Sequence, residues 1–90
     1  MGGVTREVTL HVADAAVTSI ATAAARGVPG VVTARAELAA ELVRVAIAVR
    51  SGDNCRDVAE AVQRGVTDAL AELVGRKALV EVTVAEIALR

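Results

Sequence analysis

The sequence predicts an α+β domain: a two-layer sandwich in the order strand-helix-strand-strand-helix-strand, with both helices on one face of a single sheet. Three observations lead there. Val43, Val45, Ile47 and Val49 alternate with Arg44, Ala46, Ala48 and Arg50, the period of a strand with one buried face. From Cys55 the period lengthens, and Val58, Val62, Val66, Leu70 and Leu73 recur at helical spacing. At Val80, Val82 and Val84 the alternation returns. Helices interleaved with strands in this way cover one face of a shared sheet, and a ferredoxin-like strand order is the preferred topology.

The elements follow in chain order. Residues 1–6 are expected to be a flexible N-terminus, and residues 7–90 to form one domain. Val8, Leu10 and Val12 alternate with Thr9 and His11 as a short strand. Asp14 can cap the helix that follows, whose apolar stripe is Val17, Ile20, Ala21 and Ala24. Gly27 ends it and Pro29 prevents its resumption. The stretch from Thr33 to Leu42 has high helix propensity and no turn residue. It is read as a strand from Val31 to Leu38, a tight turn at Ala39-Ala40 and a new strand from Glu41, because the alternating run beyond it needs a hairpin partner. The competing reading is a helical turn across Ala36–Leu42.

Asp53 or Asn54 can cap the second helix, and Gly75 stops it by entering the left-handed conformation without steric cost. Its outer face carries Arg56, Glu60, Arg64, Asp68 and Glu72, with opposite charges at i,i+4. Gly65 inside this helix costs about 1 kcal/mol against alanine, and either close packing against a neighbouring backbone or chance explains it equally well. In the last strand Ile87 and Leu89 break the parity of Val80, Val82 and Val84. Either a bulge near Ala85-Glu86 returns all five to one face, or Ile87 and Leu89 point outward and meet a partner.

Composition narrows the function. The 90 residues contain no aromatic side chain and carry a net charge of -1, so neither a base-stacking platform nor a basic surface for nucleic acid is present. The longest apolar run is about five residues, far short of the roughly 20 that a membrane span needs. Met1-Gly2-Gly3 shows no signal peptide, and the single cysteine fits a reducing cytosol. His11 reads as an exposed strand residue. Cys55 sits at a helix start, where a thiol can be activated, but it shares the apolar stripe of Val58 and Val62 and reads as a small core hydrophobe. No group has metal-ligand spacing, and no catalytic or cofactor-binding residue stands out.

Four blocks carry a resemblance to a known family. They are Val12-Ala13-Asp14 with Val17, Ile20-Ala21 and Ala24; Gly27-Val28-Pro29-Gly30-Val31; Val45 through Asn54, ending Gly52-Asp53-Asn54; and Val58-Ala59, Val62-Gln63 and Val66 followed by Gly75 and Val80 to Val84. Together they resemble the bacterial alkaline shock proteins, also called envelope stress response proteins, over residues 7–89. Gln63 inside the helix stripe is the most specific single match. Cys55 stands where the family has a branched apolar residue, and Val74 where it has threonine. The resemblance implies a small non-catalytic protein of the alkaline or envelope stress response. It would be a scaffold or interaction module in the cytoplasm, in places held at the inner face of the membrane by a membrane-anchored partner, and able to associate with itself. It brings no catalytic residue and no cofactor. The alternative is a small nucleic-acid-binding module, since Gly27-Val28-Pro29-Gly30 matches the GxxG loop of KH domains. Val28 and Pro29 replace the basic residues of that loop. On the interaction reading, Ile87 and Leu89 are the candidate contact residues.

Overall fold

A computed structural model describes residues 15–39, 42–75 and 79–89. The expected strand at Val8–Val12, with His11 and the Asp14 cap, lies outside the described residues. The described chain runs α1 (15–26), β1 (Val31–Ala39), β2 (Leu42–Arg50), α2 (Cys55–Leu73) and β3 (Leu79–Ala88).

Alternation determines how β2 is buried. Val43, Val45, Ile47 and Val49 are at most 1% exposed, while Arg44 and Arg50 on the other face are exposed. β1 lies antiparallel beside it, from Ala39 opposite Leu42 to Val31 opposite Val49. The hairpin therefore forms, and the helical reading of Ala36–Leu42 does not. Helix propensity is a few tenths of a kcal/mol per residue, whereas the strand lets Ala34, Ala36 and Leu38 pack against the core and leaves Arg35 and Glu37 in water.

β3 pairs with β2 on the opposite side and runs parallel to it, giving the sheet order β1-β2-β3. A parallel connection needs a long crossover, which α2 supplies. Asn54 caps α2: its side-chain oxygen accepts the N–H groups of Arg56 at 3.0 Å and Asp57 at 3.1 Å. Gly75 ends it at φ 69°, just after Val74 has donated to the Leu70 carbonyl at 3.1 Å.

Val17, Ala21 and Ala25 of α1, with Val58, Val62, Val66 and Leu70 of α2, enclose one aliphatic core with β2 and Val80. Both helices thus cover the same face, and the fold is the α+β two-layer class that the periodicities predict. The expected order has more strands than the described residues contain, and here β2 and β3 are direct neighbours with no strand between them. Two expectations are corrected. Leu73 is 71% exposed and leaves the core stripe, because Val74, four residues after Leu70, takes that place. None of the i,i+4 charges on α2 closes into an ion pair. Among the described residues the pair formed is Arg44–Glu81 at 3.4 Å, between strands β2 and β3, with both side chains more than half exposed. Solvated pairs of this kind contribute about 1 kcal/mol or less.

Both edge strands bulge at the same end of the sheet. Val32 is the extra residue in β1, between Val31 opposite Val49 and Thr33 opposite Ala48. Ala85 is the extra residue in β3, between Val84 opposite Ile47 and Glu86 opposite Ala48.

Candidate functional site

The β3 bulge decides where Ile87 and Leu89 go. With Ala85 displaced from the ladder, Ile87 pairs with Val49 and returns to the parity of Val80, Val82 and Val84. Restored parity does not bury it. Ile87 remains 53% exposed and Leu89 83% exposed, because among the described residues β3 has a neighbour on one side only. The two readings of the terminal strand are therefore both partly realised: the bulge is present, and the apolar side chains stay accessible.

Leu79, 72% exposed at the start of β3, is a member of the same edge that the sequence reading missed. The signal was available, since Leu79 has the opposite parity to Val80, Val82 and Val84. These exposed aliphatic side chains lie on a strand that, among the described residues, is an edge of the sheet, with backbone donors and acceptors left unpaired on that side. Gln63 reaches this strand from α2, its Nε2 donating to the Val80 carbonyl at 3.3 Å. It lies on an exposed flank of the helix and not inside the buried stripe, which corrects the placement read from spacing. Glu81 and Glu86 are the charged residues of β3, both exposed.

The other candidates fall into structural roles. Cys55 is half-buried and packs against the core beside the first turn of α2. His11 lies outside the described residues, so no pairing with Cys55 is described. The segment from Gly27 to Gly30 joins a helix to a strand. Its Gly27 and Val28 N–H groups close the end of α1 on the Ala23 and Ala25 carbonyls at 3.1 and 3.2 Å, and Val28 packs on the core. Among the described residues no three His, Cys, Asp or Glu side chains gather in a group that could hold a metal ion. No described helix is long and apolar enough to cross a membrane.

No protein-family profile matches the chain, and no curated protein matches it. Solved structures do. A zinc form of a MamM CTD variant is similar at TM-score 0.52 and 24% identity, over 83% of this chain and 84% of that one. The copper form of MamM CTD is similar at TM-score 0.51 and 22% identity, over 83% of this chain and 84% of that one. A nickel form of another variant gives TM-score 0.51 and 22% identity, over 83% and 96%. The likeness is one of fold: the same α+β sandwich recurs there.

Proposed function

We propose that this chain is a non-catalytic protein-interaction module that joins a second chain through the free edge of β3. The observation that carries the reading is the pair of exposed aliphatic side chains at the end of a strand that is an edge among the described residues, Ile87 and Leu89 at 53 and 83%, with Leu79 at 72% at the other end of the strand and on its other face. An added strand would satisfy the open backbone groups and cover Ile87 and Leu89 at one end of the strand. The chain has no aromatic anchor for a compact interface pocket, which also favours extended pairing. The metal forms of MamM CTD supply no argument for a metal here, given the donor groups that the described residues bring together. The resemblance to alkaline shock proteins suggests the setting: a scaffold of the bacterial envelope or alkaline stress response, associating with itself or with a membrane-anchored protein.

The test is the double variant Ile87→Lys with Leu89→Lys, followed by light scattering, partner capture and circular dichroism. Both side chains are more than half exposed, so the variant should stay folded while its assembly mass falls or its partner is lost. A wild type that is monomeric at high concentration and captures nothing overturns the reading. Unfolding of the variant would do the same, by placing both residues in a core. Retention on heparin at low salt would instead favour the nucleic-acid alternative.

A further inference from the structure

The outer edge of β3 has a spacing of its own. Along a strand the direction of the backbone N–H and C=O alternates together with the face of the side chain. Two contacts fix that direction on either side of the bulge. The Ala88 carbonyl accepts the Ser51 N–H at 2.9 Å, so Ala88 turns its polar groups toward the end of β2. Ile87 therefore turns its groups the other way, to the side where no further described strand lies, and Leu89 continues the alternation. At the start of β3 the Val80 carbonyl accepts from Gln63 Nε2 on the flank of α2 at 3.3 Å, so it too points outward. Val82 and Val84 share the parity of Val80.

The outward rungs beyond Val80 are thus Val82, Val84, Ile87 and Leu89. Their steps are two, three and two residues long, and the wide step is the one made by Ala85. A regular strand has a rung at every second residue and falls out of step there. An antiparallel copy of β3 does not, because two-three-two reads the same in reverse. Val82 then meets the partner's Leu89, Val84 meets the partner's Ile87, and the two wide steps face each other across a two-fold axis.

The side chains suit the same register. On the face shared with the helices Val82 and Val84 are half-buried at the margin of the core, while Ile87 and Leu89 are exposed. Pairing lays the exposed residues of each copy against the half-buried valines of the other. On the open face the acids of β3 are Glu81 and Glu86. Glu86 comes opposite the partner's Ala85, so no carboxylate of β3 is set directly against another. Sliding the copy until Glu81 meets the partner's Glu86 would set like charges together twice, which opposes that register. Val80 lies outside the match, and Gln63 already occupies its carbonyl.

We propose that the occupant of the β3 edge is a second copy of this chain, joined through its own β3, antiparallel, about a two-fold axis between Ala85 and Glu86. The two sheets become one, and Gln63 of each copy closes an end of the shared ladder. The proposal rests on β3 as the docking edge and adds the identity and register of what docks there. An edge this short makes a small interface beside the roughly 1,200–2,000 Å² of stable complexes, so the pair forms and separates with concentration.

The experiment is a cross-link that this register permits. Thr83 and the partner's Ala88 come opposite each other with their backbone groups turned away from the shared ladder, and such pairs hold their Cα atoms about 4.5 Å apart, within disulfide range. Thr83→Cys and Ala88→Cys are made as separate chains, each with Cys55→Val to remove the native thiol. Each is oxidised alone and in a mixture of the two, and covalent dimer is measured by non-reducing electrophoresis and mass spectrometry. Light scattering follows the mass of the unmodified chain as concentration rises, and circular dichroism checks that the variants are folded. The expected result is a mass that rises to that of two chains and no further, and a cross-link several-fold more abundant in the mixture than in either variant alone. A chain that doubles its mass but cross-links no better in the mixture, or that joins Thr83→Cys to itself, overturns the register and leaves the β3 edge to be decided by the Ile87 and Leu89 variant. A mass that grows past two chains overturns the closed pair. A chain that stays monomeric overturns the pairing altogether, and the edge reading is then decided by capture of a different protein.

Discussion

Gly30 and Gly65 are both glycines beside the core, and they should respond to the same substitution with opposite signs. Gly30 sits at φ 96°, and a Cβ there would lie 2.9 Å from the Asp53 carboxylate and 3.0 Å from a Val58 methyl group. Its carbonyl accepts the Arg50 N–H at 2.9 Å, which ties the start of β1 to the end of β2. Gly30→Ala should therefore destabilise the fold by about 2 kcal/mol or more, combining left-handed strain with displacement of neighbours. Gly65 is in the interior of α2, and the nearest atom to its Cβ position would be a Val28 methyl at 3.9 Å, an ordinary contact. Close packing does not require a glycine at that position. Gly65→Ala should raise stability by about 0.5–1 kcal/mol through helix propensity and a less flexible unfolded chain. Urea midpoints at unchanged slope measure both. A destabilised Gly65→Ala would mean that α2 sits closer to the loop than described, and an unchanged Gly30→Ala would mean that the turn relaxes freely.

At the scale of elements, the end of α2 gives a separate prediction. Gly75 lies at φ 69° with nothing within 4 Å of a Cβ position, so backbone strain alone opposes a larger residue. Gly75→Val should cost on the order of 1–2 kcal/mol, readable as a lower thermal midpoint; an unchanged midpoint would show that the helix end tolerates the residue. Much of this level was legible in the sequence. The alternation of Val43 to Val49, the line from Val58 to Leu70, the Asn54 cap and the Gly75 stop all depend on local spacing, and local spacing is what a chain displays. Which strand lies beside which is a different kind of information. The period of β3 says which side chains face in, not that β2 is its neighbour, so the direct parallel pair could not be read from it. Leu73 and Gln63 were misplaced for a related reason: helical spacing gives a face but not how far the opposing sheet extends beneath it.

For the whole molecule, the one-sided arrangement explains which parts of the candidate sites were visible. Ile87 and Leu89 stood out through their parity, and Leu79 could have been found by the same test. Both helices cover one face, leaving the sheet with two outer edges among the described residues, β1 and β3. Each edge carries its irregularity at the same height, Val32 on one side and Ala85 on the other, with Ala48 of the central strand between their flanking residues Thr33 and Glu86. A regular strand that laid itself along either border would keep its ladder for only part of its length before meeting a kink and added twist. Bulges at these positions should therefore work against an unlimited edge-to-edge stack of copies. Removing Ala85 would straighten β3 without altering which residues Glu86 and Ile87 oppose. The shortened chain should fold, and should form thioflavin-positive fibrils sooner and at lower concentration than the parent. Equal fibril lag times would show that the charged residues of the border, and not its kink, keep the chain from aggregating.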